Sequence, residues 1–294
     1  MPPATMAMEP QRQLLERSAR ELLDPQGRAL AAAVQWWELE GWPGAWPVAV
    51  HGEGTPLLLL HGFDSSHLEF RRLAPLLADG HQLVIPDLYG FGFCPRPADG
   101  DYSPRGVLAH LEAVLEELQR RFGPAPVGLI GASMGGSVAV ELARRQPAAI
   151  ERLLLLAPAG LTGRAMPVPG WLAPLGARFL GLPGVRRGLC HSAFADPDRD
   201  VGPAELEIAS LHLSCPGWAD ALAAFASSGG FAGCGEPLPP QRIEVLWGAD
   251  DRILRPPQKR AAQALLGERI RELAACGHLP HIDQPATVAQ SWHG

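Results

Sequence analysis

The chain has 294 residues, of which 47% are hydrophobic and 19% charged, and its formal net charge is −6. That length suits one large α/β domain with an insertion and supplies a sizeable core, while the acidic balance offers no basic face for nucleic acid. No apolar run reaches the ~18 residues of a membrane span and no N-terminal targeting signal is present, so the expectation is a cytoplasmic protein without a transmembrane segment.

Residues 1–27 open on a loose MPPATMAMEP and continue as an amphipathic accessory helix over 11–23, packed on the body. Residues 33–50 alternate aromatic and polar side chains around Gly41, Pro43 and Gly44, which predicts a hairpin of edge strands with Trp36, Trp37, Trp42 and Trp46 as packing. Residues 57–60 read as a buried strand that empties into His61-Gly62-Phe63-Asp64-Ser65-Ser66. In an enzyme with a serine nucleophile, a second oxyanion donor comes from the backbone at the end of a neighbouring strand, which makes the Phe63 amide the candidate. His61, directly before the glycine, reads as a brace for that loop rather than a base; Asp64 and His67 read as loop residues.

A helix is expected over 68–78 and a strand over 81–86, ending in Asp87-Leu88-Tyr89-Gly90-Phe91-Gly92. Asp87 is either an acid or a tie between loops through backbone amides. Ser103 and Pro104 signal the start of a helix that reaches about Phe122.

The stretch 127–145, VGLIGASMGGSVAVELARR, puts a short buried strand against a helix of small residues, with Gly131-Ala132-Ser133-Met134-Gly135 between them. A strand that reverses straight into a helix needs a sharp turn at the serine, and glycines on either side remove the collisions that side chains would cause. Such a turn lifts the Ser133 hydroxyl above the sheet and aims the Met134 amide, at the helix start, towards an oxygen beside it.

Another buried run covers 152–157, so strands and helices alternate to this point, which implies a mostly parallel, doubly covered sheet. The pattern breaks at Pro158. From 158 to 240 the chain is rich in Gly and Pro, with helical pieces over 205–213 and 218–226 and no strand; its aromatic residues, among them Trp171, Phe179, Trp218 and Phe225, either roof a pocket or fill a small core. The sheet resumes over 242–247 and runs into Gly248-Ala249-Asp250-Asp251, followed by a helix over 257–266 and a last strand over 269–273 whose exit reads Cys276-Gly277-His278-Leu279-Pro280. The tail after His278 is short, so the final helix is expected to be stunted. Five cysteines, Cys94, Cys190, Cys215, Cys234 and Cys276, are scattered without paired spacing, which argues against a disulfide framework and for a reducing compartment.

A neutral serine hydroxyl is a weak nucleophile that needs a base within hydrogen-bond reach, and the base needs an acid to fix its tautomer. Strand ends supply all three in the order Ser133, Asp251, His278. With the pieces HGF at 61–63, DLYGFG at 87–92, GASMGG at 131–136, WGADD at 247–251 and GHLP at 277–280, the chain resembles the α/β-hydrolase family from about Trp36 to its end. The run HGFDSSHLEFRR is also similar to a branch found in cyanobacteria and plastids.

The resemblance implies Ser133 as nucleophile, His278 rather than His281 as base, Asp251 rather than Asp250 as acid, and Phe63 and Met134 as backbone oxyanion donors. It implies a core of 28–157 and 241–294 with 158–240 as a helical cap or lid. No cofactor and no metal is called for, and the partner is a small, largely apolar substrate. Ser133 argues against the dehalogenases and epoxide hydrolases of this fold, which use an aspartate at that position. The expected activity is hydrolysis of a carboxylic ester through an acyl-enzyme; carbon–carbon bond hydrolysis of vinylogous diketones, cofactor-free perhydrolysis and a non-catalytic small-molecule receptor share the same motifs.

Overall fold

A computed structural model of the protein describes residues 9–294; the opening predicted for residues 1–8 lies outside the described residues. Eight strands, β1 (Val34–Leu39), β2 (Trp42–His51), β3 (Glu53–Leu60), β4 (Asp79–Pro86), β5 (Val127–Ala132), β6 (Ile150–Leu156), β7 (Arg242–Gly248) and β8 (Ile270–Leu273), form one sheet in the order β1-β2-β4-β3-β5-β6-β7-β8. β1 pairs antiparallel with β2 and β2 with β4, and every other pairing is parallel. The predicted hairpin is present, but only β1 lies at an edge, because β2 goes on to pair with β4.

Continuous apolar runs form these strands because both sheet faces are covered. Successive side chains point to opposite faces. In β3, Leu58 and Leu60 join one core with Val107 and Leu111 of the helix Pro104–Phe122 and Val138 of the helix Met134–Arg145. Leu57 and Leu59 join the opposite core, with Leu14, Leu22, Leu30 and Leu73.

The second core also explains the ends of the chain. Two helices, Glu9–Glu21 and Pro25–Ala32, lead into β1, where a single helix is predicted. Asp24 caps the second by accepting hydrogen bonds from the Gln26 and Gly27 amides at 2.8 and 3.2 Å, and Pro25 takes the first helical position. The last helix, Pro285–His293, is not stunted: Trp292 is buried, the Arg152 guanidinium lies 3.9 Å from its ring centroid, and its indole N–H donates to His81 Nε2 at 3.0 Å. The helix predicted over 68–78 breaks into a 3₁₀ turn, His67–Phe70, and a single α-turn, Ala74–Leu77. Pro75, in the first turn of the later piece, lacks the amide that a continuous helix would require.

Among the described residues, the segment between β6 and β7 holds five α-helices, Ala173–Leu180, Pro183–Ala193, Pro197–Asp200, Pro203–Leu211 and Trp218–Ser228, one 3₁₀ turn, His212–Ser214, and no strand. Prolines in the first turns of four of them start helices where a proline-rich sequence otherwise reads as loop. No helix among the described residues is long and apolar enough to cross a membrane.

Chain connections set the position of the site. From β3 the chain moves outward to β4, then crosses back to β5 on the other side of β3, so the loops after β3 and β5 diverge and leave a crevice at their carboxyl ends. Phe63 and Ser133 stand at these two strand ends.

Candidate active site

β5 ends at Ala132 and the next helix begins at Met134, so the reversal is concentrated in Ser133, with φ 50° and ψ −119°. A non-glycine residue there is strained by on the order of 1–3 kcal/mol. Its surroundings hold it: the Ser133 amide donates to the Leu156 carbonyl at 2.8 Å, and its carbonyl accepts from the Gly136 and Ala159 amides at 2.9 and 3.0 Å. Side chains at the flanking glycines have no room, since a Cβ at Gly131 would run into the Gly135 backbone and one at Gly135 into the Leu60 and His61 carbonyl oxygens.

The Ser133 hydroxyl lies 2.9 Å from His278 Nε2, and His278 Nδ1 lies 3.0 Å from Asp251 Oδ2. All three side chains are buried. Asp251 is fixed from several directions: Oδ2 also accepts from the Trp247 indole N–H at 2.9 Å, and Oδ1 accepts from the Ile253 and Leu254 amides at 2.8 and 3.2 Å. Burial alone would raise the Asp251 carboxyl, but its hydrogen bond to His278, the charge of that ring and the two amides hold it below the usual carboxylate range. An ionised Asp251 makes Nδ1 the protonated nitrogen and leaves Nε2 free to take the serine proton. Asp250 is exposed. Its amide, with that of Ala249, donates to the Cys276 and Leu273 carbonyls, both at 2.9 Å, which ties the β7 exit to the His278 loop. Only glycine fits at 248, where a Cβ would strike the Cys276 and Gly277 carbonyls.

His281 and His61 are engaged elsewhere. His281 is fully buried with Nε2 3.0 Å from Glu69 Oε1. His61 has Nδ1 2.8 Å from the Gly62 carbonyl, and Nε2 accepts from the Leu88 amide at 3.0 Å. Accepting at Nε2 makes Nδ1 the donor, and burial holds the ring below the ordinary histidine range and so neutral. In a trans peptide the N–H points opposite to the C=O. His61, by gripping the Gly62 carbonyl, therefore turns the Phe63 amide away from itself, and the Glu69 carboxylate fixes the preceding Gly62 amide at 3.3 Å. Met134 opens its helix, where first-turn amides have no acceptor within the helix.

Several contributors were not legible as site residues. Asp64, read as a loop residue, is buried and accepts from Arg186 at 2.6 Å, the Trp218 indole at 2.8 Å and His212 at 3.1 Å. It thus joins the β3 loop to three side chains of the 158–240 segment. His67 is likewise buried, with its backbone amide and Nδ1 on Asp87 Oδ1 at 2.6 and 2.9 Å, while Asp87 Oδ2 accepts from the Phe93 amide at 2.7 Å. Asp87 is therefore the tie between loops, one of its two predicted roles. The five cysteines are all free and buried, and burial raises their thiols, that of Cys276 to about 12.

Two cavities flank the serine, and Phe63 lines both. One, of about 230 Å³, is bounded by Ser133, His278, Leu279 and Ile282 of the body and by Leu189 and Ile208 of the inserted segment. The other, of about 570 Å³, lies on the Met134 side and is bounded by Leu161, Met166, Phe225, Phe231 and Leu254. Among the described residues no group of three or more His, Cys, Asp and Glu side chains is placed to hold a metal ion.

The sequence pattern of the alpha/beta hydrolase family matches residues 57–291. The chain is 29% identical over 250 residues to the alpha/beta hydrolase domain-containing protein VTE7 of Arabidopsis thaliana, covering 83% of this chain and 74% of that protein. It is 28% identical over 252 residues to the 2-hydroxymuconate semialdehyde hydrolase of Pseudomonas sp. strain CF600, covering 81% and 85%. Lipases and a soluble epoxide hydrolase match over shorter stretches, 36–39% of this chain. A thermophilic esterase from Thermogutta terrifontis shares the fold, with a TM-score of 0.68 at 23% identity over 88% of this chain and 96% of that one.

Proposed function

From the premise that the chain belongs to the alpha/beta hydrolase family, we propose that it is a serine hydrolase that cleaves a carboxylic ester of a small, largely apolar substrate through an acyl-enzyme. The observation that carries this reading is the run of hydrogen bonds from Ser133 Oγ through His278 to Asp251, at 2.9 and 3.0 Å. Ser133 Oγ attacks the ester carbonyl while His278 Nε2 takes its proton, and the tetrahedral oxyanion is stabilised by the Phe63 and Met134 amides. His278 then protonates the alkoxide as the carbon–oxygen bond breaks and the alcohol leaves. A water, deprotonated by the same nitrogen, releases the acid and restores Ser133. In this reading 28–157 and 241–294 form the catalytic core and 158–240 the lid.

The departing alcohol must lie beside its proton donor, which assigns it to the smaller cavity bounded by His278 and Leu279; the acyl group takes the larger cavity behind Met134. Nitrophenyl esters test both points. A stoichiometric burst of nitrophenol is expected from the wild type and none from Ser133→Ala. Along the acyl series kcat/KM should rise by up to about fourfold per methylene, from ~0.8 kcal/mol of burial each, until the larger cavity fills. Acetate turned over as efficiently as every longer ester would refute an apolar acyl site.

A second reading, hydrolysis of a carbon–carbon bond in a vinylogous diketone, draws support from the likeness to 2-hydroxymuconate semialdehyde hydrolase over 85% of that protein's length. Turnover of such a diketone with a kcat/KM above that of the best ester would favour it.

A further inference from the structure

The helix Ala173–Leu180 faces the wrong way for a soluble surface. Its buried residues are the small Ala173 and Ala177, which turn towards the helix Trp218–Ser228, while Leu175 and Phe179 are 56% and 58% exposed. Trp171 in the turn before it is 76% exposed, and Leu182 just after it 51%. Leu175 and Phe179 lie four apart within the helix and so share one face, and the exposed Trp171 and Leu182 flank its two ends. Contiguous exposed apolar side chains of this size mark an interaction surface.

Charge identifies the partner. Between Glu151 and Asp196 the sequence contains no acidic residue, in a chain whose net charge is −6. The same stretch exposes Arg164, Arg178 and Arg187, and the neighbouring helix Trp218–Ser228 contributes one acid, Asp220. A second copy docking on this face by two-fold symmetry would bring the Arg178 side chains of the two copies into one interface, which like charge disfavours. Exposed Trp, Leu and Phe side chains beside Arg178 of the same helix, in a stretch that carries further exposed arginines and no acid, instead match the headgroup region of an anionic bilayer, where aromatic and aliphatic side chains enter the acyl boundary and arginines meet lipid phosphate.

We propose that this face docks the protein onto the surface of a membrane containing anionic lipid, with Trp171, Leu175 and Phe179 inserted. Leu180 and Leu189, from this helix and the next, line the cavity that holds Ser133. Docking therefore sets the roof of that cavity against the lipid, where an apolar substrate would be dissolved. The surface argument holds whichever bond is cleaved.

Co-sedimentation of the full chain with vesicles of phosphatidylcholine containing about one-third phosphatidylglycerol tests the proposal. Wild type is expected to pellet with these vesicles, less with pure phosphatidylcholine, and less as salt rises. The double variant Leu175→Glu/Phe179→Glu should bind at least about tenfold more weakly while keeping the wild-type melting temperature, because both side chains are exposed. Should that variant misfold, Trp171→Ser, outside the helix, is expected to weaken binding in the same assay. Wild type that stays in the supernatant at low salt, or variants that pellet as well as wild type, would overturn the proposal. So would a wild-type dimer on size exclusion that Leu175→Glu/Phe179→Glu converts to monomer without any vesicle binding, since the face would then serve a second copy.

Discussion

Asp250 and Asp251 adjoin in sequence yet differ in their surroundings: one is exposed and the other is buried with four hydrogen bonds, to Trp247, Ile253, Leu254 and His278. Asp251→Asn should keep the fold, because an amide still accepts from the same backbone N–H groups, but it favours the wrong imidazole tautomer. A loss on the order of 10³ to 10⁴ in kcat is expected. Asp250→Asn should lose less than about tenfold, since an exposed charge contributes little. Steady-state kinetics of both purified variants on one activated ester decide between them, and the reverse ranking would contradict the assignment. The family resemblance singled out Asp251 by its position four residues after Trp247; its indole bond to that residue was not legible, because a buried tryptophan at a strand end reads as packing. His61 shows the opposite limit. Its role as a brace followed from its place before Gly62, but which carbonyl and which amide it grips depends on a loop, Leu88, that is distant in sequence.

At the scale of elements, the strands were legible because buried β-runs have a simple signature, and their ends fell within a few residues of the expected ones. Helices failed for two reasons: at Pro75 a local breaker present in the sequence was passed over, and at Trp292 tertiary contacts decide, since its burial depends on β5 and β6 rather than on its own neighbours. The largest omission is the Asp64 cluster, because Arg186, His212 and Trp218 lie 122, 148 and 154 residues away. Asp64→Ala strands a buried guanidinium and should cost about 3–5 kcal/mol in urea unfolding. Its carboxyl also links stability to pH. Burial would raise it, but the hydrogen bond and charge of His212, the charge of Arg186 and the Trp218 indole lower it below its ordinary value of 3.8. A carboxyl lowered on folding stabilises the native state above its unfolded value and loses that contribution as pH falls through the folded one. Melting temperature measured from pH 7 to 3 should therefore fall below about pH 4, and fall less steeply in Asp64→Asn. Equal acid sensitivity in both proteins would exclude Asp64 as a source of the decline.

For the molecule as a whole, the crossover at β3 explains why groups scattered over the sequence converge. The loops after β3, β5, β7 and β8 all leave from the carboxyl ends of parallel strands and so surround one crevice. Alternation of strand and helix made that architecture legible, whereas the two cavities were not, since they depend on how the helices between β6 and β7 lie over the crevice. The same segment reaches into the machinery through its backbone, where the Ala193 carbonyl accepts from the His278 amide at 2.7 Å. The central claim, that this arrangement activates Ser133, is tested most directly by intact-mass analysis after treatment with a fluorophosphonate probe. One adduct per chain is expected on the wild type, none on Ser133→Ala, and strongly slowed labelling of His278→Ala, because the serine then lacks its base. Labelling that persists unchanged in Ser133→Ala, or a wild type that does not react, would contradict it.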